Sequence, residues 1–234
     1  MTFDNRTVLV TGAAGNLGRV VANAFAERGA KLVLVDLRRE HLERAFGAED
    51  ERRLLAPTNL LDQDEVHATV KKAIQRFKRI DVLCNLAGGF RMGQPVHETP
   101  DETWNFLFDI NARTVLHAVR AVVPGMIESG GGKIVNVGAY AAQKGVAQMG
   151  AYVAAKSAVI RLTEAMAAEL REQNINVNCV LPTVIDTPEN RKAMPKADTA
   201  AWPKVEEVAA TIAFLASPEN RVTRGGVVPV YGKS

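Results

Sequence analysis

Cysteine is nearly absent: the 234 residues include two, Cys84 and Cys179, each inside a short apolar run that reads as a strand. Two buried thiols suit a reducing compartment and argue against a disulfide-stapled scaffold. The four histidines show no His-x-x-x-His or mixed Cys/His spacing, so no metal site is expected. No apolar run is long enough to cross a bilayer, and the N-terminus lacks a basic segment followed by an apolar one. The expectation is a cytoplasmic protein with no membrane partner. A strong charge of one sign is missing too. A net charge of +3, with both signs mixed along the chain, gives no reason to expect nucleic acid. The densest basic pairs, Arg38-Arg39 and Lys71-Lys72, sit among acidic or apolar neighbours, as solvated helix faces do. Repeats, linkers and low-complexity tracts are absent as well, so residues 1–234 are read as one domain.

What is present is an alternation of short apolar runs with longer helical patterns. Strands are expected at Thr7–Val10, Lys31–Asp36, Leu54–Thr58, Val82–Leu86, Ile134–Val137, Val177–Leu181 and Val227–Val230. Helices are expected at Leu17–Arg28, closed by Gly29, and at Asp62–Phe77, Met149–Gln173 and Lys204–Ala216. A further long helix starts at a capping box formed by Thr99 and Glu102. Continuously apolar strands, each followed by a helix, indicate an α/β fold: one doubly wound Rossmann-type domain, its parallel seven-stranded sheet covered on both faces. Residues 87–98 and 182–203 carry too little pattern for elements. The second is expected to be a loop covering the substrate.

The first strand runs into Thr11-Gly12-Ala13-Ala14-Gly15-Asn16-Leu17-Gly18 and then a helix. Glycines permit a tight turn and close approach to a pyrophosphate, which the free N–H groups of the helix start stabilise. Gly12, Gly15, Asn16, Leu17 and Gly18 are therefore candidate dinucleotide contacts. The second strand ends at Asp36, whose carboxylate would accept hydrogen bonds from ribose hydroxyls and repel a 2′-phosphate. NAD(H) is preferred, with NADP(H) as the alternative that Arg38-Arg39 would serve.

Tyr152 and Lys156 are spaced i, i+4 on one helix face, where an ammonium would lower the phenol's pKa toward neutrality and suit it to acid/base work. With the glycine turn, Asn85-Leu86-Ala87-Gly88, Asn111, and Gly132 to Val137 as the fifth strand, the pair resembles the short-chain dehydrogenase/reductase family in order and spacing across nearly the whole chain. That resemblance implies catalysis by Tyr152, Lys156 and Asn111, the last holding a water in a proton relay, with Tyr152 and Lys156 also at the nicotinamide ribose. It places Asn85, Ala87 and Gly88 beside the adenosine, Asn59 and Leu60 at the adenine, and Pro182, Ile185 and Thr187 at the carboxamide. It also implies a homodimer or homotetramer formed through Ala-rich helix faces (Ala151, Ala155, Ala158, Ala165, Ala168).

Two positions depart from the family pattern. Asn16 stands at the middle glycine of the common turn, and Ala139 stands where the catalytic Ser belongs. A methyl cannot donate to a developing oxyanion. Segments around Gly138 to Tyr152 and Leu181 to Asp198 are similar to the dihydropteridine reductase branch, which also carries Ala at that position. Tyr140 or Gln143 is a candidate replacement donor. Met149 and Trp202, with Phe90, Met92 and Met194, come from loops near the expected strand ends and are candidate walls of an apolar pocket, with Ala139 a candidate substrate-side residue. The expected activity is NAD(P)-dependent hydride transfer to or from a carbonyl- or quinonoid-type small molecule. The alternative is a weakly active or non-catalytic NAD-binding sensor or scaffold, which the missing Ser would permit.

Overall fold

The computed structural model describes residues 1–233. Seven strands form one parallel sheet: β1 (Thr7–Thr11), β2 (Lys31–Asp36), β3 (Arg53–Pro57), β4 (Val82–Asn85), β5 (Gly132–Val137), β6 (Ile175–Pro182) and β7 (Val227–Val230). Their spatial order is β3-β2-β1-β4-β5-β6-β7. The order reverses between β1 and β4, which opens a crevice at the C-terminal ends of those two strands.

Alternating strand residues feed two cores. Val8 and Val10 face α1 (Asn16–Ala26), α2 (Arg39–Phe46) and α8 (Val205–Ala216), whereas Leu9 faces α3 (Gln63–Phe77), α5 (Thr114–Glu128) and α6 (Gly150–Glu169). Phe25 anchors the first core, fully buried and edge-on to Phe3 with ring centroids 4.8 Å apart. Burying such a side chain contributes about 2–3 kcal/mol. Both cysteines are buried and free. No helix among the described residues is long and apolar enough to cross a membrane.

The expected strands and the main helices are present within a few residues of their anticipated bounds. Gly29 closes the turn after α1 at φ +85°, a conformation that favours glycine. Four expectations need correction. Helix α2 was not anticipated, because its eight residues bury only Leu42 and Phe46. The capping box does not form: α4 (Asp101–Phe108) starts after Pro100, and the Thr99 hydroxyl donates to Pro95 O instead. The long helix is broken by a wider π turn over Asp109–Arg113, between α4 and α5. Residues 182–203 are not patternless: they contain the end of β6, α7 (Pro188–Ala193) and a short turn at Thr199–Ala201.

Candidate active site

At the β1/β4 crevice lies a groove of about 480 Å³ lined by Gly12, Gly15, Asn16, Leu17, Gly18, Asp36, Asn59, Leu60, Ala87 and Gly88. Leu37, Thr58, Leu61, Leu86, Ile110 and Thr114 complete its wall. The glycines are required by contact. A Cβ on Gly18 would stand 2.2 Å from Gly12 O, and one on Gly12, at φ +63°, would stand 2.9 Å from Ala87 Cα. Backbone therefore meets backbone here, leaving a cradle with room for an adenosine diphosphate moiety.

Asp36 closes the β2 side. Its Oδ2 accepts from Ala14 N–H at 3.1 Å and its Oδ1 from Leu37 N–H at 2.9 Å, which fixes the carboxylate at the groove wall. Arg39 turns away, paired with Glu43 at 2.8 Å and Glu49 at 3.4 Å. Asn59 Oδ1 accepts from Leu61 N–H, which shapes the groove beyond Asp36. Thr11, not singled out from the sequence, holds the two walls together: its hydroxyl accepts from Leu86 N–H at 3.0 Å and Ala87 N–H at 3.2 Å. A threonine before a glycine turn carries no periodic signal, so only the fold reveals that link. Asn85 is buried behind the groove, where its Nδ2 donates to Asn136 Oδ1 at 2.8 Å and ties β4 to β5.

The groove meets the predicted catalytic pair at Gly88, where a Cβ would stand 2.8 Å from Asn111 Oδ1 and 3.2 Å from Lys156 Nζ. Lys156 is buried, and its Nζ donates to Val137 O at 2.9 Å. Burial lowers its pKa to about 8, with a smaller opposing effect from Cys179. The Tyr152 ring packs edge-on against Phe90, with centroids 4.8 Å apart. Burial raises the Tyr152 pKa to about 12, opposite to the lowering that its spacing from Lys156 suggested. The desolvation cost of tyrosinate dominates in this arrangement.

Asn111 lies in the π turn. Its Nδ2 donates to Gly89 O and Leu107 O, each at 2.9 Å, and its Oδ1 accepts from Gly89 N–H at 3.1 Å. The amide thus clamps the loop after β4 beside Lys156.

Lys156 carries a stability signature. Its lowered pKa leaves the folded chain binding fewer protons than the unfolded one between pH 8 and 10, so its contribution to stability rises with pH there and is lost as pH falls toward 8. Urea denaturation across that window is expected to show a gap between wild type and Lys156→Met that changes in this direction. A pH-independent gap would contradict it.

Ala139 is buried at the end of β5, and Tyr140 is exposed, its ring 5.5 Å from that of Tyr231. Gln143 is exposed and donates to Tyr140 O at 3.4 Å. Met149 precedes the first turn of α6. The backbone at Trp202 lies where a Cβ on Gly232 would touch it, so the C-terminal segment packs on the Ala201–Pro203 turn. Pro182 pairs with Val230 in the sheet, and Ile185 packs on the same core as Ala14 and Leu17. Thr187 caps α7, its hydroxyl accepting from Asn190 N–H. Of the Ala-rich face, Ala151 and Ala155 are covered by Leu107 of the same chain, so they offer no free surface.

A family model described as short chain dehydrogenase matches residues 6–198. The 3-oxoacyl-(acyl-carrier-protein) reductase FabG of Thermotoga maritima is 34% identical, over 99% of this chain and 98% of its own length. Among solved structures, NAD+-bound xylitol dehydrogenase superposes with a TM-score of 0.90 at 28% identity, covering 99% of this chain and 100% of that one. A gluconate 5-dehydrogenase from Burkholderia cenocepacia, in complex with NADP and tartrate, gives 0.89 at 28% identity, with 99% and 95% covered. With the crevice and the glycine turn at one end of the sheet and the Tyr152–Lys156 pair on α6, these matches establish that the chain belongs to the short-chain dehydrogenase/reductase family of NAD(P)-dependent oxidoreductases.

Proposed function

We propose that the chain reduces a carbonyl- or quinonoid-type small molecule with NADH, Tyr152 acting as general acid. The observation that carries this reading is the meeting of the dinucleotide groove with Lys156 and Asn111 at Gly88. When bound, the nicotinamide supplies the hydride. Gly12, Gly15, Asn16, Leu17 and Gly18 would hold the diphosphate through free backbone N–H groups. Asp36 would take the adenosine ribose, Asn59 and Leu60 the adenine, and Ile185 and Thr187 the carboxamide. Tyr152 keeps its proton to about pH 12 in the free chain, so at neutral pH it is set to donate from Oη to a carbonyl oxygen. Lys156, held at Val137 O, is the cation placed to stabilise the tyrosinate left behind, and Asn111 is a positioning residue for the adjacent loop. Phe90, against the Tyr152 ring, makes the surroundings of the phenol apolar and aromatic, suited to a ring-bearing acceptor; a quinonoid pterin fits that description. A homodimer or homotetramer completes the proposal.

The reading is tested by following absorbance of the reduced nicotinamide with NADH or NADPH against quinonoid dihydropterin, quinones and ketones. Turnover supports it. Tight cofactor binding without turnover of any acceptor favours the sensor alternative. Asp36→Ser is expected to lower the NADH-over-NADPH ratio of kcat/KM by about tenfold, because it removes a carboxylate that repels a 2′-phosphate. An unchanged ratio would remove Asp36 from cofactor selection.

A further inference from the structure

Asn16 occupies the position where the common family turn has glycine, and its side chain has two partners. Its Nδ2 donates to Glu189 Oε2 at 2.5 Å, while its Oδ1 accepts from Arg19 Nη2 at 3.0 Å. This pairing fixes the amide orientation, since the reverse would set an oxygen against a carboxylate and an NH2 group against a guanidinium. Glu189 lies in the first turn of α7, on the segment between β6 and α8, 173 residues away in the chain. Asn16 itself lines the groove at the glycine turn. The contact therefore joins the glycine turn at the groove to the segment between β6 and α8.

Helix α7 behaves as a compact tab. Arg191 pairs with both oxygens of Asp186, at 2.5 and 2.8 Å, and Asn190 Nδ2 donates to Ile185 O at 2.8 Å. The base of the tab is pinned where Asp186 N–H donates to Pro203 O at 2.9 Å. These bonds hold the tab together, whereas the Asn16–Glu189 bond joins it to the other side of the crevice.

We propose that Asn16 and Glu189 form a strap that holds the 187–198 segment closed over the dinucleotide groove, so that cofactor release requires breaking it. Glycine at position 16 would offer no such bond, so the strap belongs to this chain's departure from the common turn. Arg19 matters because the Glu189 carboxylate would face a diphosphate across the groove mouth; the guanidinium offsets that repulsion. Retention of cofactor rests on the dinucleotide reading, but the strap itself does not.

The test is amide hydrogen exchange over residues 187–198 in the cofactor-free full chain, with NADH dissociation followed by stopped-flow fluorescence. Asn16→Gly and Glu189→Ala are each expected to speed exchange about five-fold, in keeping with one exposed charge-assisted hydrogen bond. The double variant is expected to exchange no faster than either single one. Glu189→Gln retains an acceptor oxygen for Asn16 and is expected to stay near wild type. NADH should leave faster from the same variants that exchange faster. Wild-type exchange in both single variants, or additive effects in the double, would overturn the strap. Faster exchange with unchanged NADH dissociation would overturn its retention role. Failure of the wild type to bind NADH would count against the dinucleotide reading, leaving exchange to decide the strap.

Discussion

Tyr152→Phe is expected to lower kcat by roughly 10³-fold while leaving NADH affinity unchanged, because it removes one proton donor and almost no packing. Phe keeps the edge-on contact with Phe90 and the packing against the two neighbouring cores, so the variant should fold as the wild type does. The proton at Oη is what the reaction loses. Burial pushes the Tyr152 pKa up to about 12 in the free chain, so the phenol carries its proton at neutral pH. Steady-state kinetics with the best acceptor, together with NADH titration by fluorescence, separates the two effects. Retained turnover in the Phe variant would remove Tyr152 from the proton-transfer role and leave the fold assignment untouched.

Ala139→Ser is expected to act in the opposite direction. Ala139 is buried at the end of β5 with extended backbone, φ −154° and ψ 143°, beside the turn that carries Tyr140 and Gln143. A hydroxyl there would restore a donor to a developing oxyanion, and one such donor contributes ~10²-fold in rate. For a simple ketone, kcat/KM should rise by about that factor. A quinonoid acceptor should gain much less, because its developing charge spreads over a conjugated ring and depends less on a second donor. Equal gains for both acceptors would contradict the view that Ala139 matches the substrate. No gain for the ketone would show that another group, such as Tyr140 or Gln143, already donates.

Most of the sheet was legible in the chain because its signals are local. Continuous apolar runs, glycine after a helix and the Thr11 to Gly18 turn each reflect forces between near neighbours, and they gave the strands, the crevice and six groove-lining residues, from Gly12 to Gly18 and Asp36; Asn59, Leu60, Ala87 and Gly88 came from the family resemblance. Short elements escaped for the same reason. Helix α7 has six residues and buries none of them fully, and α2 buries two, so neither carries enough period to be seen. The π turn at Asp109–Arg113 changes the hydrogen-bond step without changing composition, and apolar periodicity does not report it.

The sequence by itself determined the doubly wound fold and the glycine turn with Asp36, which follow from pattern and spacing along the chain, and its motifs carried the family resemblance. Tertiary structure alone decided the rest. It set the raised Tyr152 pKa through burial, the placement of Phe90 on the Tyr152 ring, the clamp of Asn111 on Gly89 and the strap from Asn16 to Glu189. Each joins residues from different elements. Desolvation and hydrogen bonding depend on distances in space, and spacing in the chain does not fix those distances until the sheet has brought the strand ends together.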